Sequence, residues 1–266
     1  MSIAGCVFSE HASCFIKAMN EIEIKEDETL EDLQLGDLKL IQKKQGFRFG
    51  MDSVLLADFA QVRAGDVVAD FGSGTGILPL LMLGRGKGKL FYALEYQSDM
   101  AEMASRTMRM NHLESTVHII CADVAKADSL LGVCSMDAIV CNPPYGMPGF
   151  ALRNKNEIKA TARHQETDTL KHFFTAAFRC LKGKGRLFLV YPAPQMLSLM
   201  VELQAAHLEP KRFRMVYPTR TSNANLVLVE AVKDAKPRLH PMPPLIICNQ
   251  NKSLTKELKS IYHIKE

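Results

Sequence analysis

The feature that most constrains the fold of this chain is a regular alternation of short apolar segments with longer segments of helical periodicity. The first predicted strand, Asp66–Asp70, leads through a glycine-rich turn to a helix from about Ile77 to Gly84. Six further strands are predicted at 90–94, 117–121, 137–141, 186–191, 213–217 and 225–231. Repeated strand–helix–strand units indicate an α/β fold with a mostly parallel sheet, helices on both faces, and ligands beyond the carboxyl ends of the strands. The short connection between the last two strands predicts an antiparallel hairpin at one edge.

The length of 266 residues fits one large α/β domain with a small appendage. We interpret residues 1–29 as a lead-in, ordered or not, whose last ten residues are acidic and solvated. Residues 30–235 form the main domain, which opens with a small hairpin or cap. The proline-rich residues 236–266 form an appended segment, not a second domain.

Charge and cysteine content narrow the cellular setting without deciding the partner. A formal net charge of +4 permits a polyanionic partner but does not require one. Seven cysteines, an odd number without a C-x-x-C pair, predict reduced thiols and a cytoplasmic protein. Because the histidines and cysteines show no ligand spacing, no metal site is predicted. No apolar run approaches the roughly 18 residues of a membrane span.

A glycine-rich loop directly after the first strand predicts a site where backbone approaches a ligand closely. Its residues are Asp70, Phe71, Gly72, Ser73, Gly74, Thr75 and Gly76. The G-x-G-x-G spacing departs from the dinucleotide fingerprint G-x-G-x-x-G, which disfavours a hydride-transfer enzyme, and no P-loop motif is present.

Acidic residues stand at the ends of three successive predicted strands around this loop. Glu95 ends the second strand, where a carboxylate can accept hydrogen bonds from both hydroxyls of a ribose. Asp123 follows the third strand and can accept from an adenine amino group, and Asp70 can orient an ammonium group. Each acid alone is equally well explained as a helix cap. Together they predict a site for a nucleoside that carries a cationic chain.

The fourth strand is followed by the motif Asn142-Pro143-Pro144-Tyr145. An aromatic amine is a poor nucleophile, and the Asn142 side-chain oxygen and the Pro143 carbonyl can both accept hydrogen bonds from it and direct its lone pair. Such acceptors stabilise the positive charge that develops on nitrogen during attack. Tyr145 can stack on a planar acceptor. The simpler alternative is that the two prolines only end a strand.

This combination of glycine loop, strand-end acids and N-P-P-Y resembles the class I methyltransferases that methylate amino groups. The resemblance covers about residues 64–231 and implies S-adenosylmethionine (AdoMet) as cofactor and a Rossmann-like sheet of seven strands with an antiparallel last strand. The segments 45–57 (QGFRFGMDSVLLA) and 162–165 (ARHQ, with Gln165 where glutamate is usual) further resemble the bacterial family that makes N6-methyladenosine beside the anticodon of valine tRNA. That resemblance implies a tRNA substrate and a cofactor pocket lined by Phe47, Arg48, Phe49 and Asp52.

Two basic clusters are candidates for RNA contact. The first follows the N-P-P-Y motif, and the second lies near the sixth predicted strand; each is equally compatible with a solvated surface. The candidate residues are Arg153, Lys155, Lys159, Arg163, His164, Lys211, Arg212 and Arg214. In the first cluster, a basic segment beside the pocket can grip phosphates around an extruded base.

Other acceptors remain compatible with the same catalytic motif. Glutamine N5-methylation of a release factor uses N-P-P-Y, but the enzymes that perform it resemble one another in a longer helical region before the glycine loop. Guanine N2-methylation of ribosomal RNA is a second alternative and DNA adenine methylation a third, although no space for a target-recognition domain is evident. A non-catalytic AdoMet-binding scaffold is the alternative from a different functional class.

Overall fold

The computed structural model of the chain describes residues 22–45, 50–143 and 170–264. A two-stranded hairpin and a nine-stranded sheet account for its strands. The strands are β1 (Glu28–Asp32), β2 (Lys39–Lys43), β3 (Val67–Phe71), β4 (Leu90–Glu95), β5 (Val117–Cys121), β6 (Met136–Cys141), β7 (Leu181–Pro192), β8 (Leu208–Thr219), β9 (Leu226–Lys233), β10 (His240–Pro241) and β11 (Leu245–Cys248). The helices are α1 (Met51–Phe59), α2 (Ile77–Gly84), α3 (Ser98–Met110), α4 (Ala127–Leu131), α5 (170–180), α6 (Met196–Ala205) and α7 (Lys256–Ile261), with short 3₁₀ turns at Val124–Lys126 and Ala193–Gln195.

The central sheet has the order β5-β4-β3-β6-β7-β9-β8, and β10 and β11 both pair with β8. All of these pairs are parallel except those that β9 makes with β7 and β8. The predicted Rossmann-like methyltransferase fold, with its antiparallel last strand, is therefore confirmed. The antiparallel strand, β9, lies between β7 and β8 and not at the edge of the sheet. The additional strands β10 and β11 pair with the outer side of β8.

The sheet separates two apolar clusters because successive residues of a strand point to opposite faces. Val68 and Val140 pack on the face covered by α1 and α2. Ala69 and Ile139 pack on the other face, against α5 and α6. The centre of the sheet is thus buried on both sides, as the near-continuous apolar composition of its strands predicts.

The N-terminal hairpin β1–β2 packs against α3 through a buried ion pair. Glu28 lies within 2.6 Å of Arg106, and both side chains are at most 5% exposed. This pairing lowers the pKa of the Glu28 carboxyl, mainly through its hydrogen bond with Arg106. The prediction that the acidic stretch is solvated up to residue 29 is therefore wrong at Glu28, where β1 begins.

The C-terminal residues continue the main domain rather than project from it. Leu245 of β11 and Leu258 of α7 are buried in the same cluster as α1 and α2. A 2.6 Å ion pair between Arg214 of β8 and Glu257 joins α7 to the sheet. Among the described residues, no helix is both long and apolar enough to cross a membrane.

Candidate active site

The ends of four adjacent strands bring the predicted site residues together. In the sheet register, Phe71 of β3 pairs with Leu94 of β4 and with Cys141 of β6. Because these strands are parallel, the residues next in the chain (Gly72, Glu95 and Asn142) lie side by side at one edge of the sheet. The three groups that the sequence placed at strand ends therefore share one site.

The loop between β3 and α2 requires glycine where its backbone turns. Gly74 and Gly76 have φ angles of +56° and +79°, a region that other residues rarely adopt. A Cβ atom at Gly76 would also lie 2.6 Å from the Met108 side chain. The amides of Gly72 and Ser73 both donate to the Leu94 carbonyl, at 2.9 and 3.0 Å, which ties the loop to β4.

Glu95 is buried beneath this loop and helps to shape it. Its Oε2 accepts from the Gly74 amide at 2.8 Å, and its Oε1 accepts from the Gln97 amide at 2.9 Å. Each carboxylate oxygen has a second lone pair. Glu95 can therefore hold the loop and still accept hydrogen bonds from a ligand, which the sequence alone did not indicate.

Beside Glu95, Asp70 is fully buried, and neither of its oxygens has a hydrogen-bond partner among the described residues. Burial raises the pKa of the Asp70 carboxyl well above its ordinary value, and the charge of Glu95 adds to the shift. The hydroxyls of Ser73 and Thr75 are also buried without a partner in the described part of the chain. Buried polar atoms are normally satisfied, so this group fits a polar, cationic ligand.

Two residues complete the edge near β5. Asp123 caps the 3₁₀ turn that follows β5, since its Oδ1 accepts from the Ala125 amide at 2.8 Å. The predicted role of Asp123 toward an adenine thus coexists with a structural one. Tyr96, which was not among the predicted site residues, follows Glu95 directly and is 75% exposed, so its ring is accessible at this edge.

The amide of Asn142 lies beside α1. Its Nδ2 donates to Oδ2 of Asp52 at 3.2 Å, and the next residue, Pro143, is buried. Asp52 does not cap α1 with its side chain, and the N-cap position is occupied by Gly50. The remaining predicted residues of the catalytic motif and of the aromatic pocket segment lie outside the described residues: Pro144, Tyr145, Phe47, Arg48 and Phe49.

The second basic cluster serves the fold. Arg212 pairs with Glu230 at 2.7 Å and stacks over the Phe59 ring. Arg214 donates to the Pro243 carbonyl and pairs with Glu257, and its side chain is only 13% exposed. These contacts give Arg212 and Arg214 a structural role that accounts for both side chains without RNA.

The third member of that cluster, Lys211, donates a hydrogen bond from its ammonium group to the Lys236 carbonyl. The five candidates of the first basic cluster lie outside the described residues: Arg153, Lys155, Lys159, Arg163 and His164.

Solved structures show the same fold. A predicted O-methyltransferase of Agrobacterium tumefaciens superposes with a TM-score of 0.65 at 20% identity, covering 80% of this chain and 96% of that one. The 16S rRNA N2 methyltransferase of Thermus thermophilus, in complex with AdoMet and guanosine, has a TM-score of 0.54 at 19% identity, covering 77% and 50% of the two chains. The chain therefore has the fold of the class I AdoMet-dependent methyltransferases.

The family follows from the sequence match. Residues 46–209, more than half of the chain, match the model of the methyltransferase small domain, and the chain belongs to that family. It is 27% identical over 163 residues to the tRNA1(Val) (adenine(37)-N6)-methyltransferase of Shewanella halifaxensis, covering 61% of this chain and 65% of that protein. The enzyme of the same name from a Flavobacteriaceae bacterium (strain 3519-10) is 26% identical over 215 residues, covering 75% and 88%.

Proposed function

We propose that this protein transfers a methyl group from AdoMet to the exocyclic N6 of an adenine in tRNA, with adenine 37 of valine tRNA as the substrate. The observation that carries the proposal is the position of Asn142, which follows β6 where the neighbouring strand β3 leads into the glycine loop. The relatives named for this reaction supply the acceptor.

The strand-end acids suit the three charged or polar parts of the cofactor. Asp70 would hold the ammonium group, Glu95 the ribose hydroxyls and Asp123 the adenine amino group. Tyr96, which is exposed and follows Glu95, would stack on the adenine ring. The bound cofactor supplies an electrophilic methyl group. The residues Phe47, Arg48 and Phe49, implied by resemblance, remain part of this proposal.

Asn142 and Pro143 provide the chemistry on the acceptor side. The Asn142 oxygen and the Pro143 carbonyl accept hydrogen bonds from the adenine amino group and direct its lone pair toward the methyl group. Since positive charge develops on the nitrogen, fixed acceptors stabilise the transition state more than the ground state. The methylated ammonium is acidic and loses its proton to water, so the mechanism needs no strong base. Stacking of the base on Tyr145 stays a prediction.

Contact with the rest of the tRNA is assigned to the basic segment that follows the catalytic motif. Its cationic side chains, Arg153, Lys155, Lys159 and Arg163, together with His164, would grip phosphates around the extruded base.

Three acceptors offered separately test this function. The purified protein is incubated with labelled AdoMet and unmodified bulk tRNA, ribosomal RNA or a release factor, and labelled RNA is digested to nucleosides. We expect label in N6-methyladenosine from tRNA. Label in guanosine from ribosomal RNA, or in the release factor with the RNAs blank, would refute the proposed substrate. Cofactor binding without transfer to any acceptor would indicate a scaffold.

A further inference from the structure

Asp52 and Asn142 lie 90 residues apart in the sequence and touch at the site. The Asn142 Nδ2 is 3.2 Å from Oδ2 of Asp52. An ionised carboxylate can only accept hydrogen bonds, whereas a side-chain amide has a donor end and an acceptor end. The contact therefore holds the amide with its NH₂ group toward α1 and its oxygen away from α1.

The start of α1 is built to keep the Asp52 carboxylate in this position. Its Oδ1 accepts from the Ser53 amide at 2.9 Å, which fixes the other oxygen toward Asn142. A Cβ atom on Gly50 would lie 2.8 Å from Oδ1, so the carboxylate folds back over a position that only glycine leaves open. The backbone angles of Gly50, φ −109° and ψ −175°, are available to any residue. The side-chain space, not the backbone, is what glycine provides here.

We propose that Asp52 is a positioning residue that sets the amide orientation of Asn142 for the acceptor amine. If the Asn142 amide were rotated by 180°, its NH₂ group would face the NH₂ group of the substrate, and both groups are donors. No acceptor would then orient the lone pair of the substrate nitrogen toward the methyl group. The negative charge of Asp52 also polarises the Asn142 amide. The amide oxygen then stabilises more strongly the positive charge that develops on the acceptor nitrogen. This inference rests on the proposed amine chemistry, but it is independent of which amine is methylated.

The positioning role differs from the cofactor contact that family resemblance implies for Asp52. A residue that contacts the cofactor changes the Kd for AdoMet when it is substituted. A residue that acts through Asn142 lowers kcat and leaves both that Kd and the KM for RNA close to normal.

Two single variants separate these roles. Asp52→Asn can meet Asn142 with either end of its amide, so the orientation becomes degenerate; we expect kcat to fall about tenfold with the AdoMet Kd within twofold. Gly50→Ala keeps the carboxylate but displaces it, and it should lower kcat in the same way. A rise in AdoMet Kd that matches the loss of kcat in Asp52→Asn would overturn the inference.

Exchange of the two groups gives a rescue test. Asn142→Asp alone sets two carboxylates against each other and should lose most activity. In the double variant Asp52→Asn/Asn142→Asp, the new amide can donate to the new carboxylate and return an acceptor oxygen to the site. We expect the double variant to be at least tenfold more active than Asn142→Asp. Equal activity of the two would contradict the positioning role.

A measurement without substrate keeps this inference separate from the proposed function. The side-chain NH₂ signals of Asn142, assigned in ¹⁵N NMR by their absence in Asn142→Ala, should have the positions of a hydrogen-bonded amide. In Asp52→Ala these signals should move and exchange faster with water. If the wild type methylates no acceptor, the proposed function fails, and these signals alone decide the inference; Asn142 signals that are identical in the wild type and in Asp52→Ala would overturn it.

Discussion

The backbone amide of Gly74 donates a 2.8 Å hydrogen bond to the Glu95 carboxylate, which joins the glycine loop after β3 to the end of β4. The second carboxylate oxygen accepts from Gln97 at 2.9 Å. The shape of the loop therefore depends on the same carboxylate that we propose binds the cofactor.

Glu95→Gln should weaken cofactor binding strongly, although glutamine has nearly the same size and shape as glutamate. Whichever way the new amide is turned, its NH₂ end faces one of the two backbone donors that Glu95 now accepts from. With hydrogen bonds to a charged group worth about 1.5–3 kcal/mol, we expect the AdoMet Kd to rise about 10- to 100-fold. Titration calorimetry measures the change, with the exposed Glu114→Gln as matched control. Equal affinity of the two variants would rule out the proposed role of Glu95.

Asp70→Asn should stabilise the protein in the absence of cofactor while weakening AdoMet binding. The pKa of Asp70 is raised by burial, so ionisation of this carboxyl costs folding free energy. The stability contributed by the neutral carboxyl is fully present below the unfolded-state pKa of 3.8. It is lost as the pH rises through the higher folded-state pKa. The variant removes that loss, and we expect its Tm to exceed that of the wild type by about 2–4 °C at pH 8.

Thermal unfolding from pH 4 to pH 8, with and without AdoMet, tests this account of Asp70. The advantage of Asp70→Asn without cofactor should shrink toward pH 4. Saturating AdoMet should raise the Tm of the wild type more than that of the variant. A variant that is less stable at every pH and binds AdoMet normally would contradict the account.

Asn142→Ala should separate catalysis from cofactor binding. The substitution removes the amide that guides the acceptor nitrogen but leaves the strand-end acids in place. Loss of one such acceptor should reduce kcat about 100- to 1,000-fold. The AdoMet Kd, measured by calorimetry, should remain within about twofold of the wild-type value. Unchanged turnover would remove the proposed catalytic role of Asn142.

Arg214→Ala should affect stability and not RNA affinity. Its guanidinium joins β8 to the C-terminal segment through Pro243 and Glu257. We expect a lower Tm and an unchanged slope of RNA affinity against salt concentration, because no phosphate contact is lost. A weaker dependence of RNA affinity on salt concentration in the variant, measured by filter binding, would show that Arg214 contacts RNA.

The sequence predicted those parts of the fold that local patterns encode. Apolar runs with buried faces on both sides, such as Val67–Phe71, identified the strands at the centre of the parallel sheet, and α2 has the predicted bounds Ile77–Gly84. Since parallel strands end at one edge, the acids at the ends of β3, β4 and β5 could be assigned to one site without knowledge of their contacts.

Features that depend on distant partners could not be predicted in this way. The acidic composition around Glu28 indicated a solvated segment, but Arg106, 78 residues later, buries that side chain. The short strands β10 and β11 carry almost no periodic signal and form because the outer side of β8 offers backbone partners. Resemblance assigned Asp52 to the cofactor pocket, and its contact with Asn142, 90 residues later, is visible only in the structure.

The measurement that tests the central claim most directly is methylation of two valine tRNA transcripts that differ only at position 37. Each is incubated with labelled AdoMet and the purified protein, then digested to nucleosides. We predict label in N6-methyladenosine from the transcript with adenine 37 and none from the transcript with guanine at that position. Equal labelling of both transcripts, or none in either while another acceptor is labelled, would contradict the assignment of this site to adenine 37 of tRNA.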